Sequence, residues 1–457
     1  MTMSERVVVV GGGFAGIAAA CRLADEGHRL ILLERSGRLG GRAASFRDRA
    51  TGEDVDYAQH VTMRCCTATD GFLRRIGASG AVAYQDELAV PILCGRMRTA
   101  LRSNLLLPGL LHLAPALVGY RCLSPRERLG ILRAAIPLRL GVRSDEPFGP
   151  WLRARGQDAR AVERFWNPIC VATLNAPVDA VGLHAAHKVF REGFFDRHGA
   201  GLGFFTVSLG RVFDAARAYI ESRGGAVRAS TGVRAVRIET GRVTAVETSD
   251  GETLDASAVV VAVPPWDLSP LIDDVRLDPI VRGAGRLRWS PIVDVHLWLD
   301  RGVLGDEFAV AVDGPLQAMF DITRLHGLSA EDSRSVGGGA HVVLSQSAAE
   351  RWIDRPTDAI AEELVAALGD LVPAARAARV VRRLVVKHRR ATFVPAPGAD
   401  ACRTGVATPI DRLYLAGDWT ATGWPSTIES AVRSGIAAAG RVAVTLDDVA
   451  PLDETSP

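Results

Sequence analysis

The sequence predicts an α/β fold in which a parallel sheet is assembled from separated parts of the chain, and a second, α+β domain is discontinuous as well. Three observations carry this prediction. A short apolar run near the start breaks directly into glycine, a glycine pair follows the next apolar run, and an apolar run near the end breaks into Gly417-Asp418. The 457 residues are enough for two or three domains with a large core.

The first of these segments predicts a Rossmann-like unit. Residues 7–10 are all valine, and a short β-branched run is typical of a buried parallel strand. The glycines after it have the dinucleotide-binding spacing. The first allows a tight turn, the second lets the backbone approach a pyrophosphate, and the third lets the next helix pack closely. The predicted cofactor contacts in this turn are Gly11, Gly13, Phe14, Ala15 and Gly16.

A second strand, 29–33, is predicted after an alanine-rich helix that ends near Gly27. Glu34 follows this strand about 20 residues beyond the glycines, where an acid holds the adenosine ribose. Arg35 comes next and is included in the predicted site. Strand, glycines, helix, strand and acid therefore occur in the order that a dinucleotide-binding unit requires.

The second glycine pair, Gly40-Gly41-Arg42, indicates which dinucleotide is bound. A nicotinamide dehydrogenase has no need of glycines immediately past the ribose acid. An extended FAD lies back across this loop, so that the glycine amides and Arg42 come near its phosphates and ring. We therefore predict FAD. Because the chain has one complete glycine fingerprint and no second nucleotide unit for NAD(P)H, a separate electron donor is expected.

The third segment predicts the second half of the flavin site. Gly417 allows a close approach, and Asp418 is predicted to hold ribityl or phosphate oxygens. A helix that opens at Thr427 and Ile428 would present its free amides and its dipole to the flavin. The backbone of Val233, in a meander of short strands, is the expected contact for adenine.

These segments divide the chain into two discontinuous domains. The predicted FAD-binding domain comprises 1–60, 205–265 and 405–446, the substrate domain comprises 61–204 and 266–404, and the acidic tail 447–457 is predicted to be disordered. In the substrate domain, the alternation from Val293 to Asp300 predicts a half-buried strand. Residues 329–339 predict a polar, glycine-rich loop.

A helical insert at about 96–143 has a distinct composition. Nine arginines stand against one acid, Glu127, and leucines are interleaved with them. Four prolines are predicted to cut the stretch into short helices, and Ser124 to Glu127 has the pattern of a helix N-cap. Such helices suit a surface that lies on anionic lipid and admits an apolar substrate. The alternative is an ordinary cap over the active site, with the leucines in its core.

The net charge, the cysteine pattern and the length of the apolar runs argue against a nucleic-acid-binding protein, a metalloprotein and a membrane-spanning protein. The net charge of +2 provides no global field for nucleic acid. No apolar run reaches the roughly 18 residues that span a bilayer, and the N-terminus has no charged-then-apolar leader. The seven cysteines form no CxxC pair, and His184 and His187 have no evident third ligand, so no metal site is predicted. We expect a cytoplasmic protein, peripheral on the inner face of the cell membrane.

Two side chains are candidates for catalysis. His60 follows a short extended segment and would lie beside the flavin as a proton donor, or else be a satisfied structural histidine. Cys170 lies among apolar residues, which predicts a small, buried and inert thiol. A cysteine that contacts substrate is the alternative.

Three further motifs carry a resemblance to a known family: 166–175 (WNPICVATLN), 390–393 (RATF) and 415–425 (LAGDWTATGWP). With the flavin segments, the chain resembles the amine-oxidase and phytoene-desaturase superfamily along essentially its full length. This implies an FAD-binding domain of the amine-oxidase and glutathione-reductase type. More narrowly, the chain is similar to the squalene-associated FAD-dependent desaturases, the hydroxysqualene dehydroxylase family. That family's reaction is the reductive dehydroxylation of hydroxysqualene to squalene for bacterial hopanoid synthesis.

The implied chemistry is hydride transfer from N5 of reduced flavin to an allylic carbocation. It needs an acid, an apolar tunnel for a C30 chain and the exclusion of water. Trp419 and Trp424 are predicted to line this tunnel, where aromatic faces stabilise positive charge. Three alternatives stay open: a carotenoid-type desaturase or isomerase that works oxidatively, an amine oxidase, and a non-enzymatic binder of the Rab GDP-dissociation-inhibitor type.

Overall fold

The computed structural model describes residues 6–49, 52–107, 109–142, 144–328 and 339–447. Within these ranges, five parallel strands form the first sheet, and the segments predicted for the FAD-binding domain supply all of them. In spatial order they are Ala226–Arg228, Arg29–Leu33, Arg6–Val10, Ala258–Val261 and Leu413–Leu415.

The parallel sheet is covered on both faces, which explains the continuous apolar run in its central strand. Val7 and Val9 pack against one layer of helices, while Val8 and Val10 belong to the core on the opposite face. The helices of the first face are Phe14–Asp25, Leu209–Glu221 and Ile428–Asp447, and the second face carries the antiparallel strands Val233–Glu239, Arg242–Thr248 and Thr253–Asp255.

A second, mixed sheet forms the base of the substrate domain. Seven strands of the described chain belong to it, and the strand Phe308–Ala311 is parallel to Ala89–Cys94 while the other neighbours are antiparallel. In order they are Val380–Phe393, Trp289–Leu299, Ala340–Ser347, Ala318–Asp321, Phe308–Ala311, Ala89–Cys94 and Met97–Arg102. Smaller sheets pair Ser45–Arg47 with Asp54–Asp56, and Leu202–Phe205 with Val61–Met63 and Val82–Tyr84.

The strand predicted at Val293 to Asp300 is present as Trp289–Leu299, but the prediction that it is half-buried was wrong. In the strand Trp289–Leu299 the valine-bearing face packs on an apolar core, but Asp294, His296 and Trp298 on the other face are also buried. These side chains lie inside the molecule because the ion pair of Arg382 with Asp48 and the ring of His341 cover their end of the sheet. A polar residue in the alternating pattern therefore did not mark solvent.

Helices connect and cover the sheets. In addition to those on the parallel sheet, the α-helices are Thr67–Arg75, Ala114–Gly119, Pro125–Leu140, Phe148–Ala154, Ala159–Ala161, Asn167–Leu174, Leu183–Val189, Leu268–Leu271, Asp278–Gly285, Ile322–Leu325, Thr357–Leu371 and Pro373–Arg376. Short 3₁₀ segments are Ser79–Ala81, Gly109–Leu113, Pro265–Asp267, Val275–Leu277, Ala349–Arg351 and Ala399–Cys402, and π-helical turns lie at Val162–Trp166 and Phe190–Phe194.

The insert is less fragmented than predicted. The N-cap at Ser124 is confirmed, since Ser124 Oγ accepts the Glu127 amide at 3.3 Å and the Glu127 carboxylate accepts the Ser124 amide. The helix then continues through Pro137 to Leu140, because a proline near the end of a helix disturbs only the last turn or so. Residues 97–102 form a strand instead of a helix.

Two predicted segments fall largely outside the described residues: the loop 329–339, except Gly339, and the tail 447–457, except its first residue. All seven cysteines are described and are free thiols. Among the described helices, none combines the length and the apolar character needed to cross a bilayer.

Candidate active site

The glycine turn after the first strand has the geometry of a phosphate cradle. Gly11 has φ of +106°, and a Cβ there would lie 2.7 Å from the Ala262 carbonyl oxygen. A Cβ on Gly16 would lie 1.9 Å from the Gly11 carbonyl oxygen, so this glycine is needed for close packing of the helix. Gly13 differs, because the nearest atom to its Cβ would be 3.9 Å away and the space beside it is open.

This open space is at the start of the helix Phe14–Asp25. Within the part of the chain that the structure describes, no side chain caps that helix, and its first turn holds no acid. The first amides of a helix have no intrahelical acceptor, and together with the helix dipole they favour an anion. A side chain on Gly13 would fill the cradle where a pyrophosphate fits, so these residues match the requirement of a dinucleotide.

Glu34 is held at the end of the second strand by two amides. Gly12 donates to its Oε2 at 2.7 Å, and Ser36 donates to its Oε1 at 2.8 Å. A Cβ on Gly12 would lie 2.6 Å from the Leu39 side chain and 3.0 Å from Glu34 Cβ. Gly12 is therefore required beside Glu34, although sequence analysis did not single it out. The neighbouring Arg35 pairs with Asp267 at 3.2 Å.

The second glycine pair packs directly on the first glycine turn. The Gly40 amide donates to the Gly12 carbonyl at 2.8 Å, and both Gly40 and Gly41 have positive φ. A Cβ on Gly40 would lie 2.8 Å from Ala44 and 2.9 Å from the Phe213 ring. The two loops thus form one continuous glycine surface, which agrees with a cofactor that extends across both.

Arg42 extends from this surface to the Gly-Asp segment near the end of the chain. Its guanidinium forms a bidentate ion pair with Asp418, and one of its nitrogens also donates to the Ala391 carbonyl at 3.0 Å. The Ser426 hydroxyl donates to the same carboxylate. The guanidinium lies over the Trp289 ring, 5.3 Å from its centre. The predicted phosphate or ribityl ligand Asp418 is therefore fixed by Arg42 and Ser426.

The C-terminal segment brings its predicted residues to the same place. The hydroxyl of Thr427 accepts the Ser430 amide at 3.2 Å and so caps the long helix. Glu429, in the first turn of this helix, is buried and accepts the amides of Ala68 and Thr69 at 3.0 and 2.7 Å. Glu429 thus caps a second helix at the cavity wall, and sequence analysis did not identify it.

A cavity of about 1080 Å³ connects the glycine surface with the substrate domain. This is slightly more than the roughly 300–1,000 Å³ typical of a pocket for one small ligand. Of the residues predicted for the site, Gly16 and Cys170 do not line it, and the others do: Gly11, Gly13, Phe14, Ala15, Glu34, Arg35, Gly40, Gly41, Arg42, His60, Val233, Gly417, Asp418, Trp419, Trp424, Thr427 and Ile428.

The far half of the cavity is predominantly apolar. Its wall includes parts of both π-helical turns, and π turns are frequent at functional sites. The polar and charged residues of this wall include Glu163, Arg164, Asn175, Lys188, Glu192 and Ser345. Apolar lining residues are Val90, Ile92, Leu101, Phe165, Ile169, Val171, Phe194, Leu202, Phe204, Phe308, Val310 and Phe320.

Two histidines lie at the junction between the two halves. His60 Nδ1 and His388 Nε2 are buried and have no hydrogen-bond partner in the part of the chain that the structure describes. The His388 ring centre is 4.8 Å from that of Tyr57. Burial lowers the pKa of His60 to about 4, and burial together with the Arg42 charge lowers the pKa of His388. Both rings are therefore neutral near pH 7 and free to bind a polar ligand atom.

His388 is a third residue that sequence analysis missed, after Gly12 and Glu429, although it lies two residues before the 390–393 motif. Cys170, in contrast, was a candidate from the sequence that the structure places away from the cavity. It is fully buried in the apolar cluster around Trp166, and desolvation raises its pKa. Because it does not line the cavity, the structure supports the inert-thiol alternative and contradicts a contact with substrate.

The two predicted tunnel tryptophans differ in their surroundings. Trp419 is almost completely buried, donates from Nε1 to the Val263 carbonyl at 3.0 Å and lines the cavity. Trp424 is half-buried, with the Lys188 ammonium 4.6 Å and the Arg433 guanidinium 5.0 Å from its ring centre. Trp424 therefore already interacts with two protein cations.

Comparison with known proteins identifies the family. The model of the family described as "Flavin containing amine oxidoreductase" matches residues 14–443, nearly the whole chain. The chain belongs to the flavin-containing amine oxidoreductase family. It is an FAD-dependent oxidoreductase, and the predictions of FAD and of an α/β FAD-binding fold are confirmed.

The amine oxidoreductase chain also has relatives in the predicted narrower group. It is 29% identical to a hydroxysqualene dehydroxylase from Rhodopseudomonas palustris over 456 residues, which cover 96% of this chain and 99% of the relative. It is 25% identical to a 15-cis-phytoene desaturase from Solanum lycopersicum over 454 residues, covering 95% of this chain and 77% of the relative. The predicted resemblance is thereby confirmed.

Solved structures confirm the fold. An oxidoreductase from Methanosarcina mazei has a TM-score of 0.72 at 17% identity, covering 94% of this chain and 99% of the other. Cyclohexylamine oxidase from Brevibacterium oxydans has a TM-score of 0.71 at 16% identity, covering 97% of this chain and all of the other.

Proposed function

We propose that this flavoprotein dehydroxylates hydroxysqualene reductively to squalene, in hopanoid or related triterpenoid synthesis. The observation that carries the proposal is the continuity of one cavity from the Gly13 cradle to an apolar chamber around Phe194 and Phe320. A C30 polyisoprenoid alcohol offers apolar surface along its length and a single hydroxyl, which matches a chamber that is mainly apolar and has polar groups at separate places in its wall. The hydroxysqualene dehydroxylase relatives, which span almost the whole chain, support the same substrate class.

We further propose which residues hold FAD. The diphosphate would lie on the glycine surface and the first amides of Phe14 and Ala15, with the adenosine between Glu34 and the Val233 backbone. The flavin end would lie by Arg42, Gly417, Asp418 and the capped helix at Thr427. When bound and reduced, FAD supplies the hydride. The protein binds the chain, orients its hydroxyl toward the junction of His60 and His388, and excludes water from the cation.

A second function is an oxidative desaturase acting on a carotenoid-like polyene. It is favoured by the phytoene desaturase relatives, which match over about 95% of the chain. The apolar chamber suits both substrates. The two functions differ in the presence of a hydroxyl group on the substrate and in the direction of electron flow, so one experiment separates them.

The helical insert supports the proposal that the substrate reaches the cavity from a membrane. In the helix Pro125–Leu140, Ile131 and Leu138 on one face are buried, while the opposite face carries exposed apolar residues spaced three and four apart. This apolar stripe consists of Leu129, Leu132, Ile136 and Leu140, which are 49%, 38%, 52% and 83% exposed. Arg126, Arg133 and Arg139 are exposed beside it. An exposed apolar stripe flanked by arginines fits the interface of an anionic bilayer.

The same insert also reaches the cavity, since Leu101 and Tyr120 line its wall. We propose that the apolar stripe rests on the inner face of the cell membrane and that the substrate enters the cavity from the lipid. The two interpretations of the insert, a lipid-contacting surface and a cap over the active site, are then compatible. The inner leucines form a core, and the outer ones contact lipid.

The test of the function is an anaerobic single turnover. The purified holoenzyme is reduced chemically, mixed with hydroxysqualene in detergent, and followed by flavin absorbance, with mass analysis of the extracted lipid. Flavin reoxidation with one squalene formed per flavin is expected. If the flavin stays reduced, and oxidised enzyme instead introduces double bonds into squalene or phytoene, the desaturase function replaces the dehydroxylase.

A further inference from the structure

A buried carboxyl group lies directly behind the cavity wall of the substrate sheet. Asp294 lies in the middle of the strand Trp289–Leu299, is 0% exposed, and pairs in register with Ser345 on the next strand. Ser345 lines the cavity, whereas Asp294 does not. Residues directly opposite on neighbouring antiparallel strands have adjacent side chains on one face of the sheet, so Ser345 lies beside Asp294 and is the member of the pair that reaches the cavity.

The carboxyl group has an unusual lack of partners. Neither oxygen of Asp294 has a hydrogen bond of good geometry to any described group. The Ser345 hydroxyl is the side-chain group that interacts with it. Buried polar atoms in folded proteins almost always have partners, and an exception calls for a functional or structural reason. No cation pairs with this carboxyl in the described chain, so it is costly to keep ionised.

The surrounding titratable groups are histidines. On the same face of the sheet, His296 lies two residues along the strand of Asp294, and His388 lies diagonally across on the flanking strand. Tyr57 and His60 approach from the segment that covers His388, and Arg42 acts on His388 from the cofactor side. Beyond His296, Arg382 is paired with Asp48.

We propose that Asp294 is the proton source of the cavity and that the Ser345 hydroxyl passes its proton to the hydroxyl oxygen of the substrate. The inference rests on the proposed dehydroxylation. The Asp294 carboxyl gives its proton to Ser345 Oγ while the Ser345 hydroxyl proton moves to the substrate oxygen. The C–O bond breaks with both electrons on oxygen, leaving water, an allylic cation and an Asp294 carboxylate. Bound, reduced FAD would supply the hydride that completes the product, and solvent reprotonates Asp294.

Electrostatics agrees with this division of roles. Burial raises the pKa of Asp294 to about 7, although the Ser345 hydroxyl acts in the opposite direction. Burial lowers the pKa of His60 to about 4. At neutral pH a substantial fraction of Asp294 therefore holds a proton that it can donate, whereas His60 does not. A catalytic acid works best when its pKa is near the working pH.

The test compares Asp294→Asn and Ser345→Ala with two controls. Ser345→Thr keeps the hydroxyl. Gln346→Leu removes a polar side chain that is equally buried, likewise without hydrogen-bond partners in the described chain, but on the opposite face of the same sheet. Each variant is purified with FAD, reduced, and assayed for kcat and KM on hydroxysqualene between pH 5 and pH 9 (about two units either side of 7).

We expect kcat of Asp294→Asn to fall by about 10²-fold or more with KM little changed. Wild-type kcat should fall as the pH rises through about 7, and this dependence should be absent in Asp294→Asn. Ser345→Ala should lose activity, and Ser345→Thr should restore part of it because the hydroxyl is kept. Gln346→Leu should keep both the rate and the pH profile. A folded, FAD-loaded Asp294→Asn with normal kcat and profile would overturn the proposal, as would a fully active Ser345→Ala if Asp294→Asn does not fold.

A second readout needs no turnover and separates this inference from the proposed function. Infrared difference spectra of wild-type holoenzyme between pH 6 and pH 8 (about one unit either side of 7) should contain C=O bands of protonated carboxyls. Asp294→Asn should lose the Asp294 band and retain that of Asp56, whose pKa burial also raises to about 7. If the Asp294 band is present but wild-type enzyme does not convert hydroxysqualene, the dehydroxylase function fails and the buried acid stands. If wild type turns over hydroxysqualene but the band is absent, the Asp294 proposal fails alone.

Discussion

Arg42 and Asp418 lie 376 residues apart in the sequence and form a bidentate ion pair on the cavity wall. The pair joins the first and the last segments of the cofactor domain. Its carboxylate is 6% exposed and its guanidinium 30% exposed, so the interaction is shielded from solvent more than an ordinary surface pair. This contact fixes two residues that we propose as FAD ligands before any ligand arrives.

Loss of the Asp418 charge should affect both binding and stability. In Asp418→Asn the guanidinium of Arg42 loses its charged partner, so we expect a lower FAD content in the purified protein and an unfolding free energy reduced by about 1–3 kcal/mol. The control is Asp278→Asn, whose ion pair with Arg282 is exposed (71% for Arg282, 56% for Asp278) and should contribute less than about 1 kcal/mol. Flavin absorbance per protein and denaturant unfolding measure the two effects. Full FAD content in Asp418→Asn would contradict the assigned role.

Two glycines of the first turn should separate cofactor binding from folding. Gly13 has φ of −77° and open space at its Cβ position, so Gly13→Ala should fold normally but obstruct the cradle and lose FAD. A Cβ on Gly16 would collide with the Gly11 backbone at 1.9 Å, so Gly16→Ala should lower the melting temperature of the apoprotein. Melting curves of apoprotein and FAD titrations distinguish the two. A Gly13→Ala variant that binds FAD like wild type would show that no phosphate lies there.

The cofactor half of the site could be predicted because its signals are local. The spacing of Gly11, Gly13 and Gly16, and the acid that follows the second strand, are set by neighbours in sequence. The substrate half depends on contacts between distant segments. Nothing near Asp294 or His388 in the sequence shows that the sheet and the Asp48 segment bury them together. For the same reason, alternating polar residues at 294–298 were wrongly assigned to solvent.

The apolar stripe should control attachment to lipid. Replacing Leu132, Ile136 and Leu140 together by serine should abolish cosedimentation with vesicles that contain anionic lipid, because the contact loses most of its apolar surface. Arg133→Ala and Arg139→Ala should each weaken binding by roughly fivefold, corresponding to about 1 kcal/mol per arginine, and the effect should vanish on neutral vesicles. Val275→Ser is the control, since Val275 is 81% exposed elsewhere. If the triple variant sediments like wild type, the stripe does not face the membrane.

The buried pair of His296 and His341 should make the stability of the protein sensitive to acid. His296 Nδ1 lies 3.0 Å from His341 Nε2, and burial lowers the pKa of His296 to about 4. A histidine with a lowered pKa stabilises the fold above its unfolded value near 6.5, and this contribution is lost as the pH falls toward 4. Between pH 7 and pH 4, the unfolding free energy of wild type should fall by roughly 3 kcal/mol more than that of His296→Asn. His198→Asn, at an exposed position, should follow wild type.

Asp56 and Asp294, whose pKa values burial raises to about 7, act in the opposite direction, so the difference between variant and wild type is the quantity to measure by denaturant unfolding. If the unfolding free energies of wild type and His296→Asn fell equally between pH 7 and pH 4, the pKa of His296 would not be lowered in the folded protein.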